Sequence, residues 1–504
     1  MSWFIGGIIF LIVGYFTYGK FVEKLVGPDD RPTPAVANPD GVDYVELPKW
    51  KNMLIQLLNI AGVGPVIGVI AGIKFGKVAL LIIPVGCVFM GAVHDFVSGM
   101  ISIRMNGANL PKIVKTYLGK GYATAFSWFM IALLLLLVAV FINIPANLID
   151  KTVFPNIPFF WWMVIIIFGY YVVATLFPVD KIIGAIYPFF GAILVIGSLA
   201  MCGALIWYGA QDASLLEESA AFLDYRANDF NAGGKSPLFP LLFVTIACGI
   251  ISGFHATQSP IVARTIRSER EARVTYYGMM IAEGVIAMIW AAAALAMYNH
   301  DPSTLKLVPA DVLSRVTTWM LGPWMGGVTV FAIVVLAITS GDTGLRSARL
   351  SLAEMLGIDQ AKTWSRILVC LPLVVIVAIL LWWSNLSAES FAHVWNYFAW
   401  GNQVMSATTL MACTVWLLRG GKKWSVLVTL IPGLFMTSVV STFILWTSAD
   451  KGQPFGPIPG GLSLGVSVGL SIVVAVVFAI YVFCRGRLQC GQEYGIIRDR
   501  KEIK

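Results

Sequence analysis

The tetrapeptide Gly62-Val63-Gly64-Pro65 interrupts an apolar segment that is otherwise long enough to cross a lipid bilayer. Similar interruptions occur in two later apolar segments, at 252–260 (SGFHATQSP) and at 339–343 (TSGDT). Lipid cannot satisfy an exposed backbone N–H or C=O, so a broken helix persists at membrane depth only where protein or a watery cavity covers the break. Paired breaks in the two halves of a chain are typical of carriers. The pattern therefore predicts a transporter.

The composition agrees with a membrane protein. Of the 504 residues, 58% are hydrophobic and 12% are charged, and the mean hydropathy is +0.80. A soluble domain carries about 25% charged residues, which is twice the charged fraction of this chain. The net charge of +8 is explained by basic loops at one membrane face, so no nucleic-acid partner is expected. The seven cysteines, an odd number, argue against a disulfide framework, and no motif for a cofactor or for a hydrolase is present.

Apolar segments of about 20 residues, the length that a helix needs to cross the hydrocarbon core, predict about thirteen transmembrane helices. The predicted spans are 3–25, 53–73, 78–103, 122–144, 159–177, 184–208, 237–256, 273–298, 323–343, 366–384, 391–417, 424–447 and 462–484. Basic residues concentrate in the loops after the third, seventh, ninth and eleventh spans and in the C-terminal tail, whereas the loop after the sixth is acidic. Cytoplasmic loops carry the Lys/Arg excess, so the N-terminus is expected outside and the C-terminus in the cytoplasm.

The first two breaks lie five spans apart, which predicts two five-helix repeats of opposite topology. The expected fold class is an all-α polytopic membrane protein resembling the LeuT-like (APC) fold of sodium-coupled symporters. The predicted organisation is a peripheral first helix with a proline-rich linker, a first repeat, an acidic external loop, a second repeat, and two peripheral helices with a basic tail, at 1–52, 53–208, 209–236, 237–417 and 418–504. The structural alternative is that the glycines only allow close helix packing.

The breaks also predict the kind of ligand. Helix N-termini present free N–H groups and partial positive charge, while unwound carbonyls can hold a cation, so the site suits a small anionic or zwitterionic solute. The amides of span 11 either belong to an aromatic interface anchor or lie deep enough to bond across helices. The candidate substrate-binding residues are Asn59, Gly62, Gly64, Pro65, His94, Gly253, His255, Gln258, Asn402 and Gln403.

Hydroxyl and ionisable groups within the spans predict two alternative coupling schemes. A possible Na⁺ site is formed by Thr339 and Ser340, which are expected near the carbonyls around Asn59–Gly62. The alternative is a proton carrier, since a carboxylate inside the membrane is a functional candidate by default. The ion- or proton-coupling candidates are Asp95, Glu283, Thr339, Ser340, Asp342 and Thr343.

The coupling candidates other than Asp342 also have a structural reading, whereas the charge of Asp342 is not explained by one. The hydroxyls could bond back to the preceding helical turn. The carboxylates of Asp95 and Glu283 could pair with a neighbour such as Arg104 or with a backbone N–H. His94 and Asp95 are adjacent in a helix and are expected to point to different faces.

Several short motifs resemble those of the carbon starvation protein A (CstA) family. The matching segments are 40–45 (DGVDYV), 60–65 (IAGVGP), 91–96 (GAVHDF), 253–256 (GFHA), 277–279 (YGM) followed by Glu283, Asp342-Thr343 and Asn402-Gln403. The resemblance implies a bacterial or archaeal inner-membrane protein linked to the starvation response and to the uptake of peptides or of pyruvate. The chain has Ile55-Gln56 where long members have a His-His pair, and Val69 where a second proline is expected, so it resembles the shorter branch.

These observations together predict a secondary active transporter for peptides or pyruvate-like carboxylates, coupled to Na⁺ or H⁺ and embedded in the lipid bilayer. A second hypothesis is a membrane-embedded enzyme that uses Asp95, Glu283 and His255, although these residues lie on separate spans without a recognisable nucleophile. A third is a stress-response membrane protein that does not transport. Convergence of the broken segments on one cavity would favour the transporter. The substrate, the coupling ion and the oligomeric state stay open at this point.

Overall fold

The computed structural model describes residues 1–152, 159–177, 179–230, 236–420, 424–451 and 456–487, and every regular element within these ranges is helical. The first half contains α1 (Ser2–Phe16), α2 (Tyr18–Val26), α3 (Pro34–Ala37), α4 (Lys49–Ile60), α5 (Val69–Gly72), α6 (Val78–Gly86), α7 (Ala92–Arg104), α8 (Leu110–Leu118), α9 (Lys120–Thr152), α10 (Phe160–Leu176) and α11 (Val179–Gln211). The second half contains α12 (Ala220–Tyr225), α13 (Leu238–Thr245), α14 (Gly253–Ala263), α15 (Gly278–His300), α16 (Pro309–Leu356), α17 (Thr363–Ser384), α18 (Ala388–Arg419), α19 (Leu427–Trp446) and α20 (Leu464–Arg487).

Among the described residues, nine helices are long and apolar enough to cross a membrane, and two bent helix pairs raise the number to eleven. The remaining two predicted spans correspond to α10, an apolar helix of 17 residues, and to α18, a helix of 32 residues. Each predicted span therefore coincides with a helix or a helix pair. The predicted basic tail beyond residue 487 and the pair Lys422-Lys423 lie outside the described residues.

The first predicted break is present where the glycines and the proline stand. Helix α4 ends at Ile60, the next turn forms over Gly64–Gly68, and the two halves of this span are bent by 53°. Pro65 has no backbone N–H to continue the ladder of α4, but it fits the first turn of a new helical segment. The local sequence therefore determines this break.

The second break lies earlier than predicted. The chain leaves the helix after Thr245, makes a tight turn at Ala247–Gly249 and starts α14 at Gly253, with a bend of 59°. The prediction places the discontinuity near Gly253–Pro260, whereas the break ends directly before this stretch, which forms the first turns of α14 with Pro260 inside the helix. Ser252 stands at the N-cap with an extended backbone, so the polar stretch begins a helix and does not interrupt one.

The third predicted break, at 339–343, is wrong. Helix α16 is continuous there, and its single non-helical residue is Gly322, which has φ 72° and precedes Pro323. The Thr343 hydroxyl donates to the carbonyl of Thr339 at 3.0 Å, which is bonding back to the preceding turn. Gly341 serves close packing, since a Cβ there would lie 2.1 Å from the hydroxyl oxygen of Tyr171.

The two broken spans pack directly against each other. A Cβ on Gly64 would lie 2.3 Å from Cβ of Cys248, and a Cβ on Gly68 would lie 2.6 Å from the carbonyl oxygen of Thr245. Small residues allow this approach of helix backbones inside a membrane. The glycines therefore allow close packing and also stand at the break, so the alternative that they only allow close packing is wrong at this position.

The Gly68→Ala variant is expected to be less stable than the parent protein. The new methyl group would meet a backbone carbonyl that cannot rotate away, and overpacking of this kind costs about 1–3 kcal/mol. Thermal unfolding in detergent measures the effect. Gly203→Ala is the matched control, since its Cβ would meet nothing within 4 Å, and an equal loss of stability in both variants would contradict the packing argument.

Candidate functional site

The two breaks meet at one cavity of about 700 Å³. Gly64 of the first break and Cys248 of the second both line it. Its wall is mostly apolar and aromatic, and among the described residues that line it none is charged. The polar lining consists of the side chains of Asn147, Thr245, Ser384, Asn385, Ser387 and Asn396. The convergence that favours a transporter over the other two hypotheses is thus present.

The amide of Asn402 closes the second break from a different helix. Its Oδ1 accepts the backbone N–H of Phe254 at 2.7 Å, and its Nδ2 donates to the hydroxyl of Ser252 at 2.8 Å. Free N–H groups at a helix N-terminus need such partners. Asn402 therefore occupies part of the helix terminus that the sequence predicts for a substrate. The approach is close, since a Cβ on Gly253 would lie 2.4 Å from the backbone carbonyl oxygen of Asn402.

Four titratable side chains from three spans form a continuous buried row beside the breaks. Nδ1 of His94 lies 2.8 Å from Oδ1 of Asp95, and Oδ2 of Asp95 lies 3.1 Å from Nδ1 of His255. On the other side of the His255 ring, Nε2 lies 3.7 Å from Oε2 of Glu283. All four side chains are at most 1% exposed. We call this row the His94–Glu283 cluster.

Two expectations about this row need correction. His94 and Asp95 do not point apart, because their side chains bend towards each other within one helix. Arg104 is not the partner of Asp95, since its guanidinium donates to Glu269 at 2.8 and 3.0 Å. The partners of Asp95 are histidines, whose own charge depends on a proton.

The His94–Glu283 cluster is incompletely satisfied. Neither carboxylate oxygen of Glu283 has a hydrogen-bond partner among the described residues, and Nε2 of His94 has none either. A buried charge without donors is strongly unfavourable, so such a group gains from taking up a proton or a cation. The ring of His255 also lies close to the carbonyl of Ile60 at the end of α4, which connects the cluster to the first break.

Hydroxyls of α16 reach the unwound end of α4. Oγ1 of Thr339 donates to the carbonyl of Leu58 at 2.9 Å, and Oγ of Ser340 donates to the carbonyl of Asn59 at 3.0 Å. These carbonyls have no partner further along the helix, because α4 ends at Ile60. Two hydroxyl and two carbonyl oxygens thus come together, and oxygen is the ligand type that hard cations prefer.

Asp342 lies next to this group of oxygens and is held by two tyrosines that sequence reasoning missed. The hydroxyl of Tyr170 donates to Asp342 at 2.6 Å, and the hydroxyl of Tyr187 lies 3.2 Å from its other carboxylate oxygen. Tyr187 also lies 3.0 Å from Oδ1 of Asn59, so it joins α4 to α16. A polar tyrosine in the middle of an apolar span needs a buried partner, and that signal was available in the sequence.

Two predicted site residues lie apart from these groups. Gln258 donates to the hydroxyls of Thr257 and Ser347, and Gln403 has its carbonyl near Ser406. Conversely, Gln56, one turn before Asn59, is fully buried with neither amide atom bonded within the described part of the chain. The sequence marks Gln56 only as a departure from the long family members.

A cation held by several acidic or sulfur ligands is not indicated. Among the described residues, no group of three or more His, Cys, Asp or Glu has the geometry of a metal site. The oxygen group at Thr339 and Ser340 has a different character, since it consists of neutral oxygens.

The family profile described as carbon starvation protein CstA matches residues 1–175, 161–321 and 303–443 of the chain. A protein of Haemophilus influenzae, known as an uncharacterized membrane protein, is 40% identical over 353 residues, which cover 62% of this chain and 95% of that protein. The peptide transporter CstA of Bacillus subtilis is 25% identical over 88% of this chain and 89% of its own. The pyruvate/proton symporter BtsT of Escherichia coli is 28% identical over 56% of this chain, and the match spans about half of that protein (47%).

A solved structure with the same fold is the manganese transporter of Eremococcus coleocola in complex with an aromatic bis-isothiourea substituted compound. The likeness covers 89% of this chain and 99% of that one, with a TM-score of 0.53 and 14% identity. At this identity the likeness concerns the fold alone. It confirms the predicted fold class, an all-helical membrane transporter fold.

Proposed function

This chain belongs to the carbon starvation protein CstA family and is a membrane transporter, and we propose that it takes up small carboxylate-bearing nutrients by secondary active transport. The observation that carries the proposal is that both broken spans line one cavity. Carriers bind their cargo at such meeting points and expose it alternately to the two sides. The named relatives transport peptides or pyruvate, and both kinds of molecule carry a carboxylate. In this proposal, spans 2–6 and 7–11 are the two inverted repeats.

The structure corresponds in this proposal to a state open to the outside. The cavity is lined by residues of the α15–α16 connection and of the α17–α18 connection, at the opposite end of the bundle from the basic loops. Cytoplasmic loops carry the Lys/Arg excess, so the cavity end faces outward. The membrane is the inner membrane of a bacterium or an archaeon, with the N-terminus outside and the C-terminus in the cytoplasm.

Cysteine labelling tests this orientation. In a variant without native cysteines, Lys112→Cys is expected to react with an impermeant reagent only from the cytoplasmic side, because it lies in the basic segment 104–121. Asp212→Cys is expected to react only from outside. Both positions are exposed in the structure. Labelling of residue 112 from outside would overturn the orientation.

We propose proton coupling through the His94–Glu283 cluster. Four titratable groups in one row, ending in a carboxylate that lacks a hydrogen bond among the described residues and lies 3.7 Å from His255, form a site that can take up a proton inside the membrane. The row lies close to the end of α4, so its charge acts on the element that breaks at Gly62. The name of the Escherichia coli relative, a pyruvate/proton symporter, agrees with this choice.

Sodium coupling at Thr339 and Ser340 is the second candidate. The observation that favours it is the set of four oxygens from two hydroxyls and the carbonyls of Leu58 and Asn59. Asp342 lies on the following turn of α16 and adds a negative charge nearby. A cation there would tie α4 to α16, which gives a physical route from ion binding to the first break.

We propose no enzymatic activity. None of the four side chains of the His94–Glu283 cluster is among the described residues that line the cavity, so a molecule held there does not contact them. The third hypothesis, a stress-response protein without transport, offers no reason for the cavity.

Uptake by purified protein in proteoliposomes tests the proposal. Labelled pyruvate and labelled dialanine are the two probes, and the pH gradient and the Na⁺ gradient are varied separately. We expect concentrative uptake of at least one probe, driven by the pH gradient. Absence of uptake of both probes under every gradient would overturn the proposed function.

A further inference from the structure

A group of buried arginines surrounds a single carboxylate at the end of the bundle opposite the cavity. Arg346 and Arg349 of α16 are at most 1% exposed, and Arg264 and Arg366 are 6% exposed. Nη1 of Arg346 lies 3.1 Å from Oδ1 of Asp43, and Nη2 of Arg349 lies 4.0 Å from Oδ2. Arg346 and Arg349 thus share one buried carboxylate, and Arg264 and Arg366 add two more positive charges in its surroundings.

The arginines have hydrogen-bonding capacity left over. Nε and Nη2 of Arg349 have no hydrogen-bond partner among the described residues, and Nε of Arg346 and of Arg366 have none either. A guanidinium carries five N–H donors in a planar fork that fits a carboxylate with two parallel hydrogen bonds. Both terminal nitrogens of Arg346 are engaged, since Nη1 donates to Asp43 and Nη2 donates to the carbonyls of Ala174 and Phe177. Arg349 donates from Nη1 to Oε1 of Gln360 at 2.6 Å, and its Nε and Nη2 are the donors left without a hydrogen bond among the described residues.

Asp43 reaches this group from the proline-rich linker, not from the helix bundle. Oδ1 of Asp40 accepts the backbone N–H groups of Val42, Asp43 and Tyr44 at 2.8 to 2.9 Å, which fixes the turn that presents Asp43. Burial raises the pKa of Asp43, but the four guanidinium groups outweigh it and hold the pKa below its ordinary value. The side chain is therefore a carboxylate at neutral pH.

The linker is attached to the broken spans. The backbone N–H groups of Val45 and Leu47 donate to the carbonyls of Arg264 and Thr265, directly after α14. Asn52 of α4 accepts the hydroxyl of Thr265 at 2.6 Å. A movement of α4 and α14 relative to α16 would carry Asp43 with it and would leave Arg346 and Arg349 behind.

We propose that Arg346 and Arg349 form a second carboxylate-binding site on the release side of the pathway. Asp43 fills this site while the cavity is open, and the carboxylate of the cargo fills it once the linker has moved. The inference rests on the proposed transport function and deepens it, because it makes a carboxylate the required feature of the cargo. Asp43 acts in it as a tethered competitor that keeps the buried charges paired.

Counterflow in proteoliposomes tests the site from the release side. Vesicles are loaded with unlabelled pyruvate, and the internal concentration that gives half-maximal exchange is measured against external labelled pyruvate. Asp43→Asn removes the competitor, so this concentration is expected to fall about tenfold, whereas Arg349→Gln is expected to raise it about tenfold. Asp30→Asn is the matched control, since Asp30 belongs to the same linker but forms an exposed pair with Arg270.

A neutral analogue of pyruvate distinguishes a carboxylate-binding site from an ion pair that only holds the linker in place. If Arg349 binds the carboxylate, Arg349→Gln weakens the binding of pyruvate from inside the vesicle but leaves the binding of pyruvamide from inside unchanged. If Asp43 and Arg349 only hold the linker in place, Arg349→Gln would change the half-saturating internal concentration of both compounds equally, and that result would overturn the inference. An unchanged half-saturating internal concentration in both Asp43→Asn and Arg349→Gln would overturn it as well. Either outcome leaves wild-type uptake intact. Absence of uptake by the wild-type protein would instead overturn the proposed function, and the inference with it.

Discussion

In the Glu283→Gln variant, accumulation of substrate driven by a pH gradient is expected to disappear while exchange of substrate across the membrane persists. One pH unit is worth about 1.4 kcal/mol per proton, which is about a tenfold accumulation for one coupled proton. Glutamine has nearly the same shape as glutamate but cannot take up a proton. The accumulation ratio at a gradient of one pH unit should therefore fall from about ten to about one.

The measurement compares net uptake and counterflow in the same proteoliposomes. A purely structural role of Glu283 would lower both rates together, whereas a proton-carrying role lowers only the net accumulation. Asp95→Asn is expected to flatten the dependence of uptake on pH in the same way. Glu354→Gln serves as the control, because this carboxylate lies near the end of α16, away from the His94–Glu283 cluster, and pairs with Lys112 at 3.9 Å. Full accumulation in both Glu283→Gln and Asp95→Asn would exclude proton coupling through the cluster.

The double variant Thr339→Ala/Ser340→Ala is expected to lose Na⁺ stimulation if sodium couples transport. A hydrogen bond or contact to a charged group is worth about 1.5–3 kcal/mol, so each lost hydroxyl should raise the half-saturating Na⁺ concentration by at least about tenfold. The response to pH should stay intact, because neither hydroxyl titrates. Uptake at varied Na⁺ concentration and constant pH gives the result.

Thr317→Ala is the matched control for this double variant. Thr317 lies on the same helix and is fully buried, but its hydroxyl only bonds back to the carbonyls of Leu313 and Ser314. Unchanged Na⁺ stimulation in the double variant would show that the two hydroxyls only fasten α16 to α4. The carboxylate variants and the hydroxyl variants together distinguish proton coupling from sodium coupling.

The helices and the first break could be predicted because their causes are local. A run of about 20 apolar residues makes a span wherever it occurs. At 62–65 the glycines and Pro65 remove side chains and a backbone donor, and the break follows at that place. The stretches 252–260 and 339–343 look similar in sequence, but their hydroxyls find partners that keep the backbone helical, such as the carbonyl of Thr339 for Thr343. Composition alone could not distinguish a break from a helix with bonded polar side chains.

The sequence by itself therefore determined the membrane class, the approximate number of spans and the membership of the family, since these depend on hydropathy and on short motifs. The tertiary structure alone decided which polar groups act together. Asp95 and His255, which lie in contact, are 160 positions apart in the sequence. Asn402 caps α14 by bonding to Ser252, which lies 150 positions before it. Such contacts depend on how the spans pack, because a buried polar group takes whichever partner the neighbouring helix presents.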